Sequence, residues 1–363
     1  MSTDNNYQII NDVYNHKKLD TIPFFICNTS YWLDGVAKAK YPIGYFDSAK
    51  IMTDYQLRKI EFHQTNYDDC YIPFLFPWYG TGVIPSALGC DITFVDGGDP
   101  AVSSHVINSP NQIKDLNKPD YYKDGLLPKV LNTIDYMVQN TDLPISFTDP
   151  QGPLNIAICL AGLQNLFLWM YTNPNEVHDL MEFCTEVFIE WVKLQQKHIG
   201  NRHSCFPHGI ILPKEFGNVW IADDDCVVIS SDMYKEFVVP YNSKIFRAFN
   251  GGTLHFCGSA KHQIENFLNT DYCVGINNFC MGDFEQLRMM QDIYKDKMVL
   301  MACDFTPSNV DDYYTKLLNT LDKQGTIIGT YYADNYALKY GKYEMINRNN
   351  EETLKAIYDI LKV

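Results

Sequence analysis

Residues 252–258 have the sequence GTLHFCG, a short apolar run between glycines that is typical of a buried β-strand. A helix-like segment follows, and the alternation repeats with CVGINNF at residues 273–279, MVLMACDF at 298–305 and TIIGTYYA at 326–333. Successive strands begin roughly 20 to 30 residues apart. Four consecutive strand–helix units predict a parallel α/β fold, because parallel neighbours need a crossover connection between them.

Apolar runs in the first half of the chain extend this pattern. Runs at residues 22–27, 69–76 and 143–148 predict further strands, and residues 203–229 contain a less regular one. About eight strands favour one domain, residues 1–363, folded as an α/β, (β/α)8 TIM barrel with an N-terminal helical extension. A doubly wound open sheet is the alternative, although no GxGxxG motif follows the first strand.

The clearest helix prediction lies in the middle of the chain. Asn173 is a favoured N-cap, Pro174 suits the first helical position, and apolar residues at helical spacing follow from Val177 to Trp191. Gly200 is a favoured terminator, so the helix is predicted to end there.

The composition limits the classes of function. The 363 residues include 29 Lys+Arg and 44 Asp+Glu, a formal net charge of −15, and 46% are hydrophobic. This hydrophobic content excludes a disordered chain, and the acidic balance argues against a surface for nucleic acid or anionic membrane. The 11 scattered cysteines lack the dense spacing of a secreted disulfide scaffold. Because no signal-peptide pattern or membrane-spanning apolar run is present, we expect a cytoplasmic protein.

The carboxyl ends of the predicted strands carry the candidate site, since (β/α)8 enzymes bind their substrates there. His255 and Cys257 are two residues apart in one strand, so the imidazole and the thiol face the same side. Zinc accepts such a mixture of nitrogen and sulfur ligands. Cys303 is the most accessible third ligand, followed by Cys280. Alternatively, His255 hydrogen-bonds a neighbouring strand and Cys257 packs in the core.

Other strand ends supply candidates for substrate contacts. Asp149 follows one strand, and Asp223 and Asp224 belong to an acidic cluster that suits acid–base work, cation binding or an exposed loop. The remaining predicted substrate contacts are Asn28, Trp78 and Tyr332. The 25 tyrosines and 21 phenylalanines indicate a site for a flat or bulky molecule, although an aromatic core explains them equally well.

Several motifs together resemble the uroporphyrinogen decarboxylase superfamily. They are Asp149-Pro150-Gln151-Gly152-Pro153, Ala161-Gly162, the helix start at residues 173–178, Asp223-Asp224, the segment at residues 229–241, and Leu254-His255-Phe256-Cys257-Gly258. Their order and spacing match from about residue 50 to the end of the chain. The resemblance implies a (β/α)8 barrel, in agreement with the strand count.

Two chemistries are known in this superfamily, and the sequence favours one of them. Uroporphyrinogen decarboxylases bind substrate carboxylates with an arginine-rich motif near the N-terminus, but the corresponding residues 23–32, PFFICNTSYW, contain no arginine. The cobamide-dependent methyltransferases hold zinc with a His-x-Cys pair and a cysteine after the last strand. His255 and Cys257 match that pair, whereas residues 326–335 contain no cysteine.

The resemblance therefore implies a methyltransferase that moves a methyl group between a small thiol, ether or amine and a separate corrinoid protein. Zinc would be held by His255, Cys257 and a third ligand, for which Cys303, Glu215 and Asp334 are the candidates. The substrate would be oriented by Asp149, Asp223 and Asp224. The alternatives are a metal-free decarboxylase of a small non-porphyrin acid and a non-catalytic binding protein.

Overall fold

The structure, a computed structural model, describes residues 3–28, 41–94, 98–332, 336–339, 342–345 and 350–362. Its α-helices are α1 Thr3–Tyr14, α2 Ala49–Asn66, α3 Val83–Ala87, α4 Leu127–Asn140, α5 Pro153–Ala161, α6 Leu163–Thr172, α7 Pro174–Ile199, α8 Ser231–Phe237, α9 Val239–Ala248, α10 Ile264–Leu268, α11 Phe284–Tyr294, α12 Val310–Thr320 and α13 Asn350–Leu361. Its strands are β1 Phe24–Asn28, β2 Ile92–Thr93, β3 Ala101–Val102, β4 Val219–Ala222, β5 Gly252–Cys257, β6 Cys273–Phe279, β7 Val299–Phe305, β8 Thr326–Tyr332, β9 Tyr336–Lys339 and β10 Lys342–Met345.

Six of these strands form one parallel sheet in the order β1-β8-β7-β6-β5-β4. On the far side of β1, the Cys70 amide donates to the Phe24 carbonyl at 2.9 Å. Isolated parallel bridges then join Leu75 to Ile145 and Ile145 to His203. A ring of strands requires this pairing of β1 with β8, its last member, so the predicted (β/α)8 barrel is confirmed and the open sheet is wrong.

Proline explains why the first half of the barrel is less regular than predicted. The strands predicted at residues 69–76 and 143–148 are present only as the single bridges of Leu75 and Ile145. Pro73, Pro77 and Pro144 lie in or beside them, and proline has no amide hydrogen to donate to a sheet. The four strands predicted in the second half are all present, as β5 to β8.

The helix predicted after Asn173 and the predicted N-terminal helical extension are also present. α7 begins at Pro174 and ends at Ile199, where Gly200 adopts a left-handed conformation with φ +72°. Its apolar face, which includes Phe188 and Trp191, is fully buried. α1 precedes β1 and provides the predicted N-terminal helical extension.

Within the described residues, no single helix is both long and apolar enough to span a membrane. α5 and α6 meet that criterion only as a pair, and a bend of 103° separates them. Most of α5 is buried in the protein.

His203, beside the Ile145 bridge, is a buried histidine whose protonation opposes folding. Its ring packs on Phe147, and its Nε2 atom has no hydrogen-bond partner within the described residues. Burial, aided by Lys214, lowers its pKa to about 4. Since the unfolded value is near 6.5, its contribution to stability is complete above pH 6.5 and is lost as the pH falls through 4.

We expect His203→Phe to abolish this component of acid sensitivity. Between neutral pH and the folded pKa of about 4, wild type should lose roughly 3 kcal/mol of unfolding free energy relative to the variant. Urea denaturation of both proteins at neutral pH and near pH 4 measures the difference. The comparison with the variant is essential because Asp149 and Asp223 have pKa values raised to about 6 and about 7. Their protonation increases the unfolding free energy of both proteins as the pH falls. A difference that does not change with pH would contradict this account of His203.

Candidate active site

A cavity of about 890 Å³ lies at the carboxyl ends of the barrel strands. The last or second-last residues of five strands line it, and these are Cys27, Cys257, Phe279, Phe305 and Tyr331. More than half of its described lining residues are phenylalanine, tyrosine or tryptophan. This is the end of a (β/α)8 barrel that carries the active site in enzymes of this fold.

Three potential metal ligands lie close together beside this cavity, and Cys257 is the one of them that lines it. β5 presents His255 and Cys257 on one side, and Asp224 follows the neighbouring strand β4. The ligand atoms of the three residues all lie within 4.8 Å of one another. His255 Nε2 is 3.5 Å from Cys257 Sγ and 3.6 Å from Asp224 Oδ1. We call these three residues the Asp-His-Cys cluster.

Asn277, on β6, fixes the orientation of the His255 ring. His255 Nδ1 and Asn277 Oδ1 are 2.6 Å apart, while Asn277 Nδ2 donates to Cys303 Sγ at 3.2 Å. The Asn277 oxygen can only accept, so Nδ1 of a neutral His255 carries the hydrogen and Nε2 presents a lone pair to the cluster. Protein metal sites commonly hold a ligating histidine in this way.

The third member of the cluster is Asp224, whereas Cys303 was the residue predicted from the sequence. Cys303 aligns with Phe279 across the β6–β7 pair, its sulfur accepts the Asn277 amide, and it is not a member of the cluster. Cys280 lies elsewhere, with its sulfur 3.3 Å from Asp304. Glu215 is exposed and accepts from the Tyr7 hydroxyl at 3.2 Å. Asp334 lies outside the described residues.

Asp224 was predicted to orient the substrate, not to be a ligand, and the register between β4 and β5 explains its position. Ala222 aligns with His255 in the β4–β5 pair, so the residue two positions later reaches the level of Cys257. The Cys257 amide donates to Asp224 Oδ1 at 2.8 Å, which ties the two segments together.

Asp149 lies in the cavity wall, close enough to Asp224 to interact with it electrostatically. Its Oδ1 accepts from the backbone amide and the side chain of Gln151, both at 3.1 Å. Burial raises the pKa of Asp149 to about 6. A carboxyl group with this pKa is mostly ionised at neutral pH and can accept a hydrogen bond from a ligand.

The other predicted site residues divide between the cavity and the core. Trp78 lines the cavity, and its indole Nε1 donates to Asp99 at 2.8 Å. Asp223 and Tyr332 are both fully buried and are not among the described lining residues of the cavity. Asn28 ends β1, and its side chain lies outside what the structure describes.

The prediction of Tyr332 misses the cavity by one residue. Side chains alternate across a strand, and Tyr331 is the neighbour that lines the cavity. Asp223 instead accepts hydrogen bonds from Tyr234 at 2.5 Å and Asn242 at 3.1 Å. Burial raises its pKa to about 7, and these contacts position the turn that carries Asp224.

His208 was not predicted from the sequence and lines the cavity beside the Asp-His-Cys cluster. Its ring centroid is 3.6 Å from that of His255, and its Nε2 atom is buried without a partner within the described residues. Burial, and then the proximity of His255, hold the pKa of His208 well below its ordinary value. Its backbone is left-handed, with φ +44°, which is a strained conformation for a non-glycine residue.

The donor set of the cluster fits zinc, which binds sulfur, imidazole nitrogen and carboxylate oxygen. Burial and the adjacent Asp224 raise the pKa of the Cys257 thiol well above its ordinary value, so the thiolate needs a neighbouring positive charge. Metal binding supplies such a charge and deprotonates a coordinating thiol.

Comparisons with known proteins agree with the fold and bear on the chemistry. The uroporphyrinogen decarboxylase (URO-D) family profile matches residues 8–201. The methylated-thiol--coenzyme M methyltransferase of Methanosarcina mazei is 24% identical over 344 residues, which cover 92% of this chain and 85% of that protein. A solved structure of a methyltransferase from Methanosarcina mazei superposes with a TM-score of 0.69 at 15% identity, covering 98% of both chains.

Proposed function

The chain belongs to the uroporphyrinogen decarboxylase (URO-D) family, and from this premise we propose that it is a methyltransferase. It moves a methyl group between a small thiol, ether or amine and a corrinoid carried by a separate protein. The observation that carries the proposal is the Asp-His-Cys cluster, which borders an apolar cavity at the catalytic end of the barrel through Cys257. The similarity to a methyltransferase over 92% of the chain supports it.

Asp224, His255 and Cys257 would hold a zinc ion. Zinc, when bound, acts as a Lewis acid that stabilises negative charge on the heteroatom that gains or loses the methyl group. Asn277 keeps His255 Nε2 directed at the cluster, and the Cys257 amide keeps the Asp224 carboxylate beside it. These contacts preorganise the three groups before the substrate binds.

Asp149 and His208 would position the substrate. The Asp149 carboxylate can accept a hydrogen bond from a thiol or an amine, while the neutral His208 ring is part of the cavity lining and its unpartnered Nε2 atom is itself buried. A buried ring nitrogen without a hydrogen-bond partner and a left-handed backbone both reduce the stability of the fold. A contact between His208 and the substrate would explain why the protein keeps these features. Most of the cavity wall around Asp149 and His208 is apolar.

Demethylation of free methylcobalamin tests the proposal even before the partner protein is identified. The purified protein is incubated with methylcobalamin and a panel of thiols, and the loss of the methyl–cobalt bond is followed by absorbance. We expect demethylation that depends on Cys257 and that Cys257→Ser abolishes. A protein that releases carbon dioxide from small acids but leaves methylcobalamin intact would support the decarboxylase alternative. A protein that binds ligands and turns over nothing would support the non-catalytic one.

The proposal predicts that this protein does not decarboxylate uroporphyrinogen. That substrate carries eight carboxylates, whose binding depends on charge-assisted hydrogen bonds, and residues 23–32 contain no arginine in a chain of net charge −15. We expect coproporphyrinogen formation at the level of a blank without enzyme, measured by porphyrin fluorescence after oxidation. Product formation above that blank at ordinary enzyme concentrations would contradict the assignment to the methyltransferase branch.

We also expect His208→Phe to reduce the methyl transfer rate by about 10- to 100-fold, the usual effect of one lost hydrogen bond to a polar or developing charge. The unfolding free energy should be equal or higher, because the variant removes an unsatisfied polar group. His203→Phe is a matched control, since His203 is another buried histidine with an unpartnered Nε2 but does not line the cavity. Equal activity of the two variants would argue against a substrate contact by His208.

A further inference from the structure

We propose that the methyl-bearing substrate is aromatic, a methyl aryl thioether or methyl aryl ether whose ring lies against the walls of the cavity. This inference rests on the proposed methyl transfer and specifies its substrate class. It follows from the size of the cavity, the chemistry of its walls, the place where those walls approach the Asp-His-Cys cluster, and the scarcity of positive charge.

The cavity is much larger than the smallest methyl donors require. Its volume of about 890 Å³ lies in the range of sites that enclose drug-sized ligands, roughly 300 to 1,000 Å³. Methanol, methylamine or methanethiol would contact the cluster and leave most of the apolar wall without a partner. A donor with a bulky apolar group gains binding free energy by covering that wall.

The walls already show the packing that an aromatic ring would join. Phe74 and Phe206 are stacked, with ring centroids 3.9 Å apart and planes within 5° of each other. Nearer the cluster, the ring of Phe279 lies 4.7 Å from that of Tyr331 and 5.2 Å from that of Phe305. Offset and edge-to-face contacts of this kind add about 0.5–1.5 kcal/mol per pair to the gain from burial.

The aromatic wall is continuous with the Asp-His-Cys cluster. The rings of Phe279 and His255 are 5.6 Å apart, and Cys257 lines the same cavity as Phe279. A ring held against Phe279, Phe305 and Tyr331 therefore has its attached sulfur or oxygen within reach of the cluster. The wall would orient the ring, and the cluster would receive the heteroatom.

The charges of the lining residues disfavour anionic donors. Among the described lining residues there is no arginine, and Lys59 is the one lysine. An alkylsulfonate such as a methylated mercaptoethanesulfonate needs charge-assisted partners, and among the described lining residues Lys59 is the one such side chain that is always charged at neutral pH. A quaternary ammonium ion would suit the aromatic faces, but a metal cation at the cluster would repel it, and Asp99 already accepts from Tyr41 and Trp78.

The proposed step is balanced without an added oxidant. The bond between the methyl carbon and the aryl heteroatom breaks, and its electron pair stays on sulfur or oxygen, leaving an arenethiolate or phenolate that takes a proton from water. The reduced corrinoid of the partner protein, already part of the proposed function, supplies the electron pair for the new bond to the methyl group.

Ligand binding tests this inference separately from turnover. The full chain is titrated with thioanisole, anisole, dimethyl sulfide, tetramethylammonium and 2-(methylthio)ethanesulfonate. Binding is measured by the quenching of tryptophan fluorescence, since Trp78 and Trp220 both line the cavity. We expect thioanisole and anisole to bind at least tenfold more tightly than the other three. Phe305→Leu, in the wall, should weaken thioanisole binding at least fivefold, with little effect of Phe256→Leu, a buried residue outside the described lining.

The outcomes separate this inference from the proposed function. Tight arene binding with no methyl transfer to any corrinoid would contradict the function while leaving the arene site intact. Weak arene binding together with demethylation of dimethyl sulfide would contradict the inference and leave the function standing. Preferential binding of tetramethylammonium or of the sulfonate would overturn the inference in favour of a charged donor.

Discussion

Replacing His255 with alanine is expected to remove the metal from this protein and to abolish methyl transfer. The residue is 2% exposed, supplies one of three ligand atoms, and is oriented by the hydrogen bond between its Nδ1 atom and Asn277. Loss of one ligand from so small a set weakens zinc binding by orders of magnitude. We expect zinc content to fall below about a tenth of the wild-type value, and demethylation of methylcobalamin to fall at least about a thousandfold.

Asn277→Ala is the comparison variant for His255→Ala and should have a smaller effect on zinc affinity and activity. It leaves the ligands in place but removes their orienting contact, which typically costs 10- to 100-fold in affinity or activity. Circular dichroism and urea denaturation establish that both variants fold. A folded His255→Ala protein that keeps both its zinc and its activity would contradict the assignment of His255 as a ligand.

The second large effect concerns the third ligand. Asp224→Ala should lose zinc to the same extent as His255→Ala, because Asp224 Oδ1 lies 3.6 Å from His255 Nε2 and no described cysteine takes its place. Cys303→Ser should keep close to one zinc per chain, since the Cys303 sulfur accepts the Asn277 amide and is outside the cluster. Elemental analysis of the two proteins, purified identically, measures both.

Two further variants make this comparison specific. Asp225→Ala removes the adjacent carboxylate, which is outside the Asp-His-Cys cluster, and should retain zinc. Asp224→Asn keeps an oxygen to accept the Cys257 amide but removes the charge, so it separates a ligand from a purely structural role. Zinc loss in Cys303→Ser with retention in Asp224→Ala would reverse our assignment and support a cysteine as the third ligand.

The sequence was sufficient to predict the fold in the part of the chain where the strands are continuous. Residues 252–332 alternate apolar runs with helices, and they form β5 to β8 close to their predicted bounds. The strands of the first half were harder to predict because Pro73, Pro77 and Pro144 interrupt backbone hydrogen bonding. An apolar run that resembles a strand therefore forms only a single bridge. The irregular segment around residues 203–229 contains both β4 and the turn of His208.

The candidate site could be predicted where local periodicity decides it. The i, i+2 relation places His255 and Cys257 on one side of a strand, whatever fold contains that strand. Asp224 depends on the register between β4 and β5, and Tyr332 depends on which face of β8 points inward. A one-residue change of register reverses both, and a single sequence does not determine it.

His208 could not be predicted at all from the pattern of the sequence. It lies in a short turn, Pro207–Gly209, with a left-handed backbone, and it reaches His255 only through the closure of the barrel. Its signal is structural, a buried ring nitrogen with no partner within the described residues.

The zinc content of the purified wild-type chain is the most direct test of a metal-dependent methyl transfer at the Asp-His-Cys cluster. Protein expressed with zinc in the medium, purified without chelator and analysed by inductively coupled plasma mass spectrometry, should contain about one zinc per chain, as expected for the single such cluster of the described residues. Wild-type protein that is free of metal after that preparation, yet demethylates methylcobalamin, would contradict this mechanism.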